Sequence, residues 1–420
     1  MATLPLYLAG KFVTTKQTVD VTNPFDDSIV ATVSQAGTKE INTAIQAATD
    51  AFEEMKKLEP VDRSNILKHI ASRLAERAEE FAETLTKENG KTIKESRGEV
   101  TRAISTLEIA AGEAWRVYGE AYDAGITEAA RGRRIMVRKF PIGPVAAIAP
   151  FNFPLNLAIH KIAPAFAVGC PVVLKPASKT PLSCLKLAEI IDETDLLPKG
   201  AFSCLPCDRD AGQALVEDER IKLLSFTGSP AVGWKMKRDA GKKKVVLELG
   251  GNAALIIDKG EHDWDRVIAR ALVGSFYQCG QVCISVQRIY CHEDVYDEFK
   301  KRFVKGISLV KTGDPLNEKT NLGPIIDTQN RARIMDWIKE AADKGAKVLT
   351  GNKVDGNAIL PTILEGVDPS SKVSSEEAFG PTVNIHPVKT IEEAVQHVND
   401  STFGLQVGVF SNNFDAIQYV

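Results

Sequence analysis

The sequence Pro144-Val-Ala-Ala-Ile-Ala-Pro150-Phe-Asn152-Phe-Pro154 opens a series of short apolar runs that decides the fold. Residues 145–149 carry no polar side chain, which is typical of a strand covered on both faces of a parallel sheet. The prolines exclude a long helix here, so we predict a buried strand and a turn, and not a membrane span. Asn152 interrupts the apolar run where a core disfavours an amide, and it is therefore a candidate functional residue.

Four more apolar runs follow, and the segments between them are long enough for crossover helices. We predict strands over 145–149, 171–174, 201–205, 222–226 and 244–249, with helices such as 181–193 and 230–240 between them. Upstream, residues 62–118 have the three- and four-residue apolar spacing of helices. This order predicts an α/β fold with a Rossmann-like, doubly wound sheet.

The alternation resumes after Gly251 and predicts a second α/β domain. We expect helices over 263–277, 293–305, 330–344 and 391–398, and strands over 287–291, 347–349 and 383–387. Residues 119–140 mix turn residues with Ile, Met and Val, which predicts a protruding two-stranded hairpin, either a plain surface feature or a subunit contact. The predicted domains are a cofactor domain over 1–118 and 141–249, the hairpin over 119–140, and a catalytic domain over 250–420.

Composition and charge narrow the class of protein. A chain of 420 residues with 44% hydrophobic and 25% charged residues predicts a soluble protein of two or three domains. A net charge of −3 argues against a nucleic-acid or anionic-membrane partner. The start, Met-Ala-Thr-Leu-Pro-Leu-Tyr, lacks the pattern of a signal peptide, and the odd number of scattered cysteines indicates reduced thiols. We therefore expect a cytoplasmic protein.

Two reactive side chains stand beside small residues at the ends of apolar runs. They are Cys283 in Gly280-Gln-Val-Cys283 and Glu248 in Leu247-Glu248-Leu-Gly-Gly251. A thiol and a carboxylate in one cleft can act as nucleophile and base, and together with Asn152 they indicate covalent aldehyde chemistry. Each also has a structural interpretation, because Glu248 can stabilise a turn and Cys283 can be a buried core thiol.

Two features fit a nucleotide at the carboxyl edge of the first sheet. Gly228 and Ser229 precede a predicted helix, where free amides attract a phosphate, although an ordinary capped turn has the same pattern. Lys175 ends a predicted strand, where it either reaches a ribose or is simply solvated. Ser178 supplies no carboxylate against a 2′-phosphate, so NADP remains permitted beside NAD.

Other thiol arrangements are weaker candidates. Cys204 and Cys207 have the spacing of a redox dithiol, but a coincidental pair of buried thiols is favoured. Cys279 and Cys283 have no histidines at ligand spacing, so we predict no metal site.

Taken together, these motifs resemble the NAD(P)-dependent aldehyde dehydrogenase superfamily from one end of the chain to the other. The resemblance is carried, in the family's order, by residues 150–154, 174–178, 226–230, 247–251, 280–283 and 376–381. It implies that Cys283 is the nucleophile and that Glu248 is the general base. It also implies that Asn152 is half of an oxyanion hole completed by the Cys283 amide.

The resemblance further implies the cofactor, NAD or NADP, the substrate, a small or medium aldehyde, and a homo-oligomer, dimer or tetramer, assembled through the hairpin. The implied cofactor contacts are Ala149, Pro150, Phe151, Lys175, Ser178, Gly228, Ser229, Val232, Leu249, Glu377 and Phe379.

Two alternatives remain open at this point. In a coenzyme A-acylating relative, no water-activating base is needed, so Glu248 argues against that chemistry. The other alternative is a non-catalytic nucleotide-binding or structural relative, and the three catalytic residues argue against it.

Family members usually continue for several tens of residues past Val420, so we expect the catalytic domain to be incomplete. Val282 stands where some semialdehyde enzymes carry Arg, which argues against an anionic group anchored there.

Overall fold

The computed structural model describes residues 3–117 and 119–420, and these form two compact units. The first unit takes in the chain up to Val21, Ile29–Leu85 and Arg97–Glu248. The second unit takes in Thr22–Ser28, Thr86–Ser96 and Leu249–Val420. Met1, Ala2 and Tyr118 lie outside the described residues, and the predicted domain boundary at residue 118 falls on one of them.

The elements up to Glu248 belong mainly to the first unit. Its strands are β1 (Leu6–Leu8), β2 (Lys11–Val13), β3 (Thr18–Thr22), β4 (Ile29–Ser34), β5 (Glu120–Asp123), β6 (Arg134–Val137), β7 (Val145–Ile148), β8 (Val172–Lys175), β9 (Phe202–Cys204), β10 (Leu223–Thr227) and β11 (Lys244–Glu248). Its helices are α1 (Thr38–Met55), α2 (Pro60–Glu76), α3 (Ala78–Asn89), α4 (Ile93–Glu113), α5 (Pro154–Ala167), α6 (Leu182–Asp192), α7 (Arg209–Glu217) and α8 (Pro230–Asp239).

Helix starts follow from local chemistry. Helices α2, α5 and α8 each begin with a proline, whose fixed φ suits the first helical turn and whose missing N–H costs nothing there. The side chain of Asp208 caps α7 by accepting a hydrogen bond from the backbone N–H of Ala211 at 2.8 Å.

The main sheet of the first unit has seven strands in the order β11-β10-β7-β8-β9-β1-β2. The five strands from β7 to β11 are parallel, whereas β1 and β2 are antiparallel additions at one end. The strand order reverses between β7 and β10, so successive crossovers pass to opposite faces of the sheet. The predicted doubly wound sheet is confirmed, with all five predicted strands present.

Burial of β11 differs from the sequence-based expectation of strands covered on both faces. Strands β7 and β9 are fully buried, but exposed and half-buried residues alternate along β11. Val246 in its centre is 47% exposed. The reason is position, since β11 is the end strand of the sheet and one of its faces is not covered within the described chain.

The elements after Glu248 form the second unit. Its strands are β12 (Ala253–Ile257), β13 (Val286–His292), β14 (Lys347–Thr350), β15 (Val354–Asp355), β16 (Ala358–Ile359), β17 (Thr362–Glu365), β18 (Thr382–Val388) and β19 (Val407–Phe410). Its helices are α9 (Trp264–Phe276), α10 (Glu293–Gly306), α11 (Thr328–Asp343), α12 (Lys372–Ser375), α13 (Ile391–Asn399) and α14 (Phe414–Tyr419).

A six-stranded sheet in the order β14-β17-β18-β13-β12-β19 organises the second unit. Its strands are parallel except for β14. The predicted second α/β domain is therefore present, but the sequence-based prediction missed three of its six strands, the central strands β12 and β17 and the end strand β19. Tyr290 of β13 and Ile256 of β12 are buried in its core together with Val388 and Ala394.

The predicted hairpin is present as the antiparallel pair of β5 and β6, and every residue of both strands is exposed. Large apolar side chains lie on it, and Ile126, Met136 and Phe140 are 93%, 76% and 73% exposed. None of the helices in the described part of the chain combines the length and hydropathy that crossing a bilayer requires.

Candidate active site

Four parallel strands of the first unit end side by side at one edge of the sheet. Ile148 of β7 is in register with Lys175 of β8 and with Phe226 of β10. At the next position, Thr227 is in register with Glu248, the last residue of β11. The loops after these strands therefore lie at the point where the strand order reverses, which is where doubly wound sheets bind ligands. Lys175 and Glu248 thus both lie at this edge of the sheet.

Asn152 lies in the turn between β7 and α5 and is only 5% exposed. Behind the turn, the fully buried Glu99 of α4 accepts hydrogen bonds from the backbone N–H groups of Leu155 and Asn156, each at 3.0 Å. The side chain of Phe153, the residue before α5, cannot cap this helix. Glu99 supplies the cap from another helix and so holds the turn that carries Asn152.

Gly228 and Ser229 connect β10 to α8. A side-chain carbon at Gly228 would lie 2.5 Å from the ring of Phe226, so a larger residue would have to displace that ring. Ser229 is the N-cap residue of α8, yet its side chain makes no capping hydrogen bond. The first-turn amides of α8 therefore keep their capacity for an anionic group such as the diphosphate of a dinucleotide.

Lys175 is held from the side by α7. A side-chain carbon at Gly212 would lie 2.9 Å from Cε of Lys175, so the stem of the lysine packs directly on the start of this helix. Ser178 follows β8 and is exposed. The other predicted cofactor contacts of this unit lie in the same loops: Ala149, Pro150 and Phe151 after β7, and Val232 in the first turn of α8.

Lys161, which the sequence-based prediction did not single out, lies close to this edge of the sheet through its contact with Thr227. It is buried on α5, and its ammonium donates a hydrogen bond to the Thr227 hydroxyl at 2.6 Å. Burial lowers the pKa of Lys161 to about 8, and the charge of Glu248 opposes that shift. Burial also lowers the pKa of His160, assisted by the charges of Arg102 and Lys161. The charge of Glu248 opposes the lowering of the pKa for both Lys161 and His160.

In the second unit, the predicted site residues precede three adjacent strands. Leu249 comes before β12, Cys283 before β13, and Glu377 and Phe379 before β18. Because β13 is parallel to both β12 and β18, the segments entering these strands share one edge of the sheet. This is the amino edge, opposite to the edge used in the first unit.

Two glycines allow the backbone to approach closely at this edge. A side-chain carbon at Gly251 would lie 2.0 Å from the carbonyl oxygen of Cys283, and one at Gly250 would lie 2.5 Å from Glu377. The Glu377 carboxylate accepts a hydrogen bond from the Gly251 N–H at 2.9 Å. Burial raises the pKa of Glu377, against the opposing effects of this hydrogen bond and of Arg333.

Solvent access distinguishes Cys283 from the other six cysteines of the described chain, all of which are buried. Burial raises the pKa of Cys207 to about 11 and that of Cys291 to about 12, and it also raises the pKa of Cys170 and Cys279. A raised pKa suppresses the thiolate, which is the reactive form. Among these thiols, Cys283 is therefore the one placed for chemistry on a small molecule.

The remaining thiol pair has the environment of core residues. Cys204 and Cys207 are buried and not disulfide-bonded. Within residues 3–117 and 119–420, no group of three or more His, Cys, Asp and Glu side chains is arranged to hold a metal ion.

Residues 12–420 match the model of the aldehyde dehydrogenase family. A 3-sulfolactaldehyde dehydrogenase of Priestia aryabhattai is 42% identical over 97% of this chain and 85% of its own length. The structure of aldehyde dehydrogenase 21 from Physcomitrella patens, in complex with the reaction product succinate, has a TM-score of 0.98 at 47% identity and covers 99% of this chain and 87% of its own.

A second similar structure is betaine aldehyde dehydrogenase of Staphylococcus aureus in complex with NAD+. It has a TM-score of 0.94 at 31% identity, over 99% of this chain and 84% of its own. The chain therefore belongs to the aldehyde dehydrogenase family and is an oxidoreductase that acts on aldehydes with NAD or NADP as cofactor.

Proposed function

We propose that this enzyme oxidises an aldehyde to its carboxylate through a covalent adduct on Cys283, with Asn152 and Glu248 as its catalytic partners. The observation that carries the proposal is that Cys283 alone among the thiols of the described chain is both accessible and next to a glycine-lined turn. In this scheme the first unit is the cofactor domain and the second unit is the catalytic domain.

The first step is attack of the Cys283 thiolate on the aldehyde carbon. A carbon–sulfur bond forms, and the electron pair of the carbonyl double bond moves to oxygen, giving a thiohemiacetal anion. The Asn152 side-chain amide and the backbone N–H of Cys283 donate hydrogen bonds to that oxygen, each worth about 3 kcal/mol in the transition state. Glu99 keeps the Asn152 turn in place through its hydrogen bonds to α5.

The cofactor would be held by the glycine turn at Gly228 and Ser229, by Lys175, and by Glu377 and Phe379. When bound, its nicotinamide supplies the acceptor for the hydride whose loss converts the Cys283 adduct into a thioester. Glu248 then takes a proton from a water molecule that attacks the thioester carbon. The carbon–sulfur bond breaks, the carboxylic acid leaves, and the Cys283 thiolate is regenerated.

We further propose that the substrate is a small aldehyde with an acid group at its far end. The Priestia relative is named for 3-sulfolactaldehyde, and the Physcomitrella neighbour was solved with succinate, so both names describe molecules with an added sulfonate or carboxylate. An acid group on the substrate needs a cation to bind it. Val282, beside the nucleophile, supplies no charge, but a permanently charged side chain lies near Asn152.

Arg102 is that cation. Its guanidinium lies over the ring of Phe153, next to Asn152, at 5.5 Å, and its charge helps to lower the pKa of His160. Thr106, one turn further along α4, contacts both Asn156 and His160. The buried side-chain nitrogen of Asn156 has no hydrogen-bond partner among the described residues. This amide is fully buried, whereas Arg102 is exposed, so Arg102 is the group suited to the acid group of a substrate.

Arg102→Gln is expected to lower kcat/KM for succinic semialdehyde about 10- to 100-fold, since it removes a charge-assisted contact worth about 1.5–3 kcal/mol. Butanal, which has the same carbon chain without the acid, is expected to change by less than about threefold. Steady-state NAD(P)H formation measures both. Arg302→Gln, at an exposed helix position paired with Glu298, is the matched control. Equal losses on both aldehydes would rule out an anion anchor.

Cofactor choice can be tested at Ser178. Ser178→Glu places a carboxylate after β8, where an acid binds the ribose 2′-hydroxyl of NAD and repels the 2′-phosphate of NADP. We expect kcat/KM for NADP+ to fall roughly tenfold or more, while that for NAD+ changes by less than about threefold. Initial rates at varied cofactor concentration give the ratio, and an unchanged ratio would place the 2′-phosphate away from residue 178.

We propose that the hairpin formed by β5 and β6 joins subunits of a homo-oligomer, a dimer or a tetramer. Its exposed apolar side chains, including Ile126 and Met136, support a protein contact.

None of the seven cysteines of the described chain is disulfide-bonded, which fits a reducing compartment such as the cytoplasm.

A further inference from the structure

The turn that leads to Cys283 has an unusual backbone. Gln278, Cys279 and Gly280 have φ values of +47°, +57° and +69°, so three consecutive residues are left-handed, and two of them are not glycine. Left-handed backbone at residues with side chains is unfavourable, and it persists only where surrounding contacts hold it. Gly280 has no alternative, because a side-chain carbon there would lie 2.1 Å from the carbonyl oxygen of Gly380.

The contacts that hold Gln278 come from one segment, residues 89–95, which belongs to the same compact unit. The Glu95 carboxylate accepts a hydrogen bond from the backbone N–H of Gln278 at 2.6 Å. The ammonium of Lys91 donates to the side-chain oxygen of Gln278 at 3.3 Å. The side-chain nitrogen of Gln278 donates to the side-chain oxygen of Asn89 at 3.4 Å. This segment therefore hydrogen-bonds to the backbone N–H, the side-chain oxygen and the side-chain nitrogen of Gln278.

The far side of the turn is held as well. The backbone N–H of Gln281 donates to the carbonyl of Gln278 at 3.0 Å, which closes the turn. The side chain of Gln281 accepts a hydrogen bond from the Ile326 N–H at 3.0 Å. Two residues later, the carbonyl oxygen of Cys283 lies so close to Gly251 that a side-chain carbon there would be 2.0 Å away. The path of the chain from Gln278 to Cys283 thus determines where the Cys283 thiol and backbone N–H are directed.

Glu95 also stabilises the start of helix α4. Its other carboxylate oxygen accepts hydrogen bonds from the N–H and the hydroxyl of Thr92, each at 2.9 Å, and the Glu95 N–H donates to the Thr92 hydroxyl at 3.4 Å. This is a reciprocal capping box at the start of α4. One carboxylate therefore joins a helix start to the nucleophile turn, with one oxygen for each.

We propose that Glu95 is a positioning residue for the reaction, holding the left-handed turn at Gln278 so that Cys283 and its amide are correctly placed. The proposal rests on the proposed role of Cys283. Thr92 and Glu95 share the helix cap, but only Glu95 reaches the turn, so substitutions can separate the two duties. A displacement of about 1 Å at a reacting group is enough to lower a rate about 100-fold.

A crossed set of variants tests this. Glu95→Asp keeps a carboxylate for the Thr92 N–H but is one methylene too short for Gln278, and we expect kcat to fall about 10- to 100-fold with the cofactor Kd unchanged. Thr92→Ala weakens the cap and leaves the bond to Gln278, and we expect a lower melting temperature with kcat within about twofold of the parent. Glu95→Gln keeps an oxygen for the Gln278 N–H and is expected to retain most of kcat.

Alkylation by iodoacetamide reports on the Cys283 turn without relying on turnover. We expect the rate constant of Cys283 alkylation to change by more than about fivefold in Glu95→Asp and by less than about twofold in Thr92→Ala. If Glu95→Asp and Thr92→Ala change kcat by the same factor, and also change the alkylation rate constant by the same factor, Glu95 acts only as a helix cap and the proposal is wrong. Turnover retained after Cys283→Ala would instead refute the role of Cys283, and the alkylation comparison would still decide the role of Glu95.

Discussion

Cys283→Ala is expected to abolish aldehyde-dependent NAD(P)H formation, with kcat reduced by about 10⁴-fold or more. The physical reason is that a free aldehyde has no alkoxide to expel a hydride, whereas the thiohemiacetal on Cys283 has one. Alanine removes the sulfur with little change in volume at a half-exposed position, so folding is expected to be preserved. Steady-state absorbance at 340 nm gives the rate, and fluorescence titration gives the Kd for the cofactor, which is expected to remain unchanged.

Cys204→Ala provides the matched control, because it removes a buried thiol from the first unit without touching the proposed machinery. Its kcat is expected to stay within about twofold of that of the parent enzyme. If Cys283→Ala keeps turnover within about tenfold of the parent, the covalent mechanism proposed for this enzyme is wrong.

Glu248→Gln is expected to separate the two halves of the reaction. Acylation of Cys283 does not require the base, so a burst of one equivalent of NAD(P)H per active site is expected. Hydrolysis of the thioester does require it, and the steady-state rate after the burst is expected to be about 10²- to 10⁴-fold lower. Rapid-mixing absorbance measures both phases. Glu248 is exposed at the end of β11, so the isosteric amide is not expected to disturb the sheet.

Hydroxylamine gives this prediction its control, since it attacks a thioester without needing a general base. Added hydroxylamine is expected to restore turnover in Glu248→Gln and to have little effect on Cys283→Ala. A variant with no burst, in which acylation and steady-state turnover fall by the same factor, would assign Glu248 to the first half of the reaction.

The sequence predicted the first sheet well because its strands are short, continuous apolar runs separated by helical segments. Strand β12, Ala253–Ile257, is also apolar, yet it was missed. It follows a Gly-Gly pair and is recognisable as a strand only through its partners β13 and β19, which lie far along the chain. Burial of β11 was overestimated for a similar reason, because its place at the end of the sheet follows from strand order and not from its own residues.

Site residues divide in the same way. Asn152, Glu248 and Cys283 stand out in the sequence because each is a reactive or polar group among apolar and small residues. Glu95, Glu99 and Lys161 do not, because acids and lysines in amphipathic helices usually face solvent. In the structure all three are buried or engage backbone groups of the site turns. Only packing reveals which polar positions of a helix face the interior.

The sequence by itself determined the fold class of this protein, since apolar periodicity specifies strands and crossover helices. It also led to the proposed chemistry, because few residue types can act as a covalent nucleophile, a base and an oxyanion donor. Tertiary structure alone decided how those residues are held. The Glu99 cap on the Asn152 turn, the Lys161 contact with Thr227, and the Glu95 bond to Gln278 each join segments distant in sequence. Such contacts depend on which elements pack together, and local patterns carry no information about that choice.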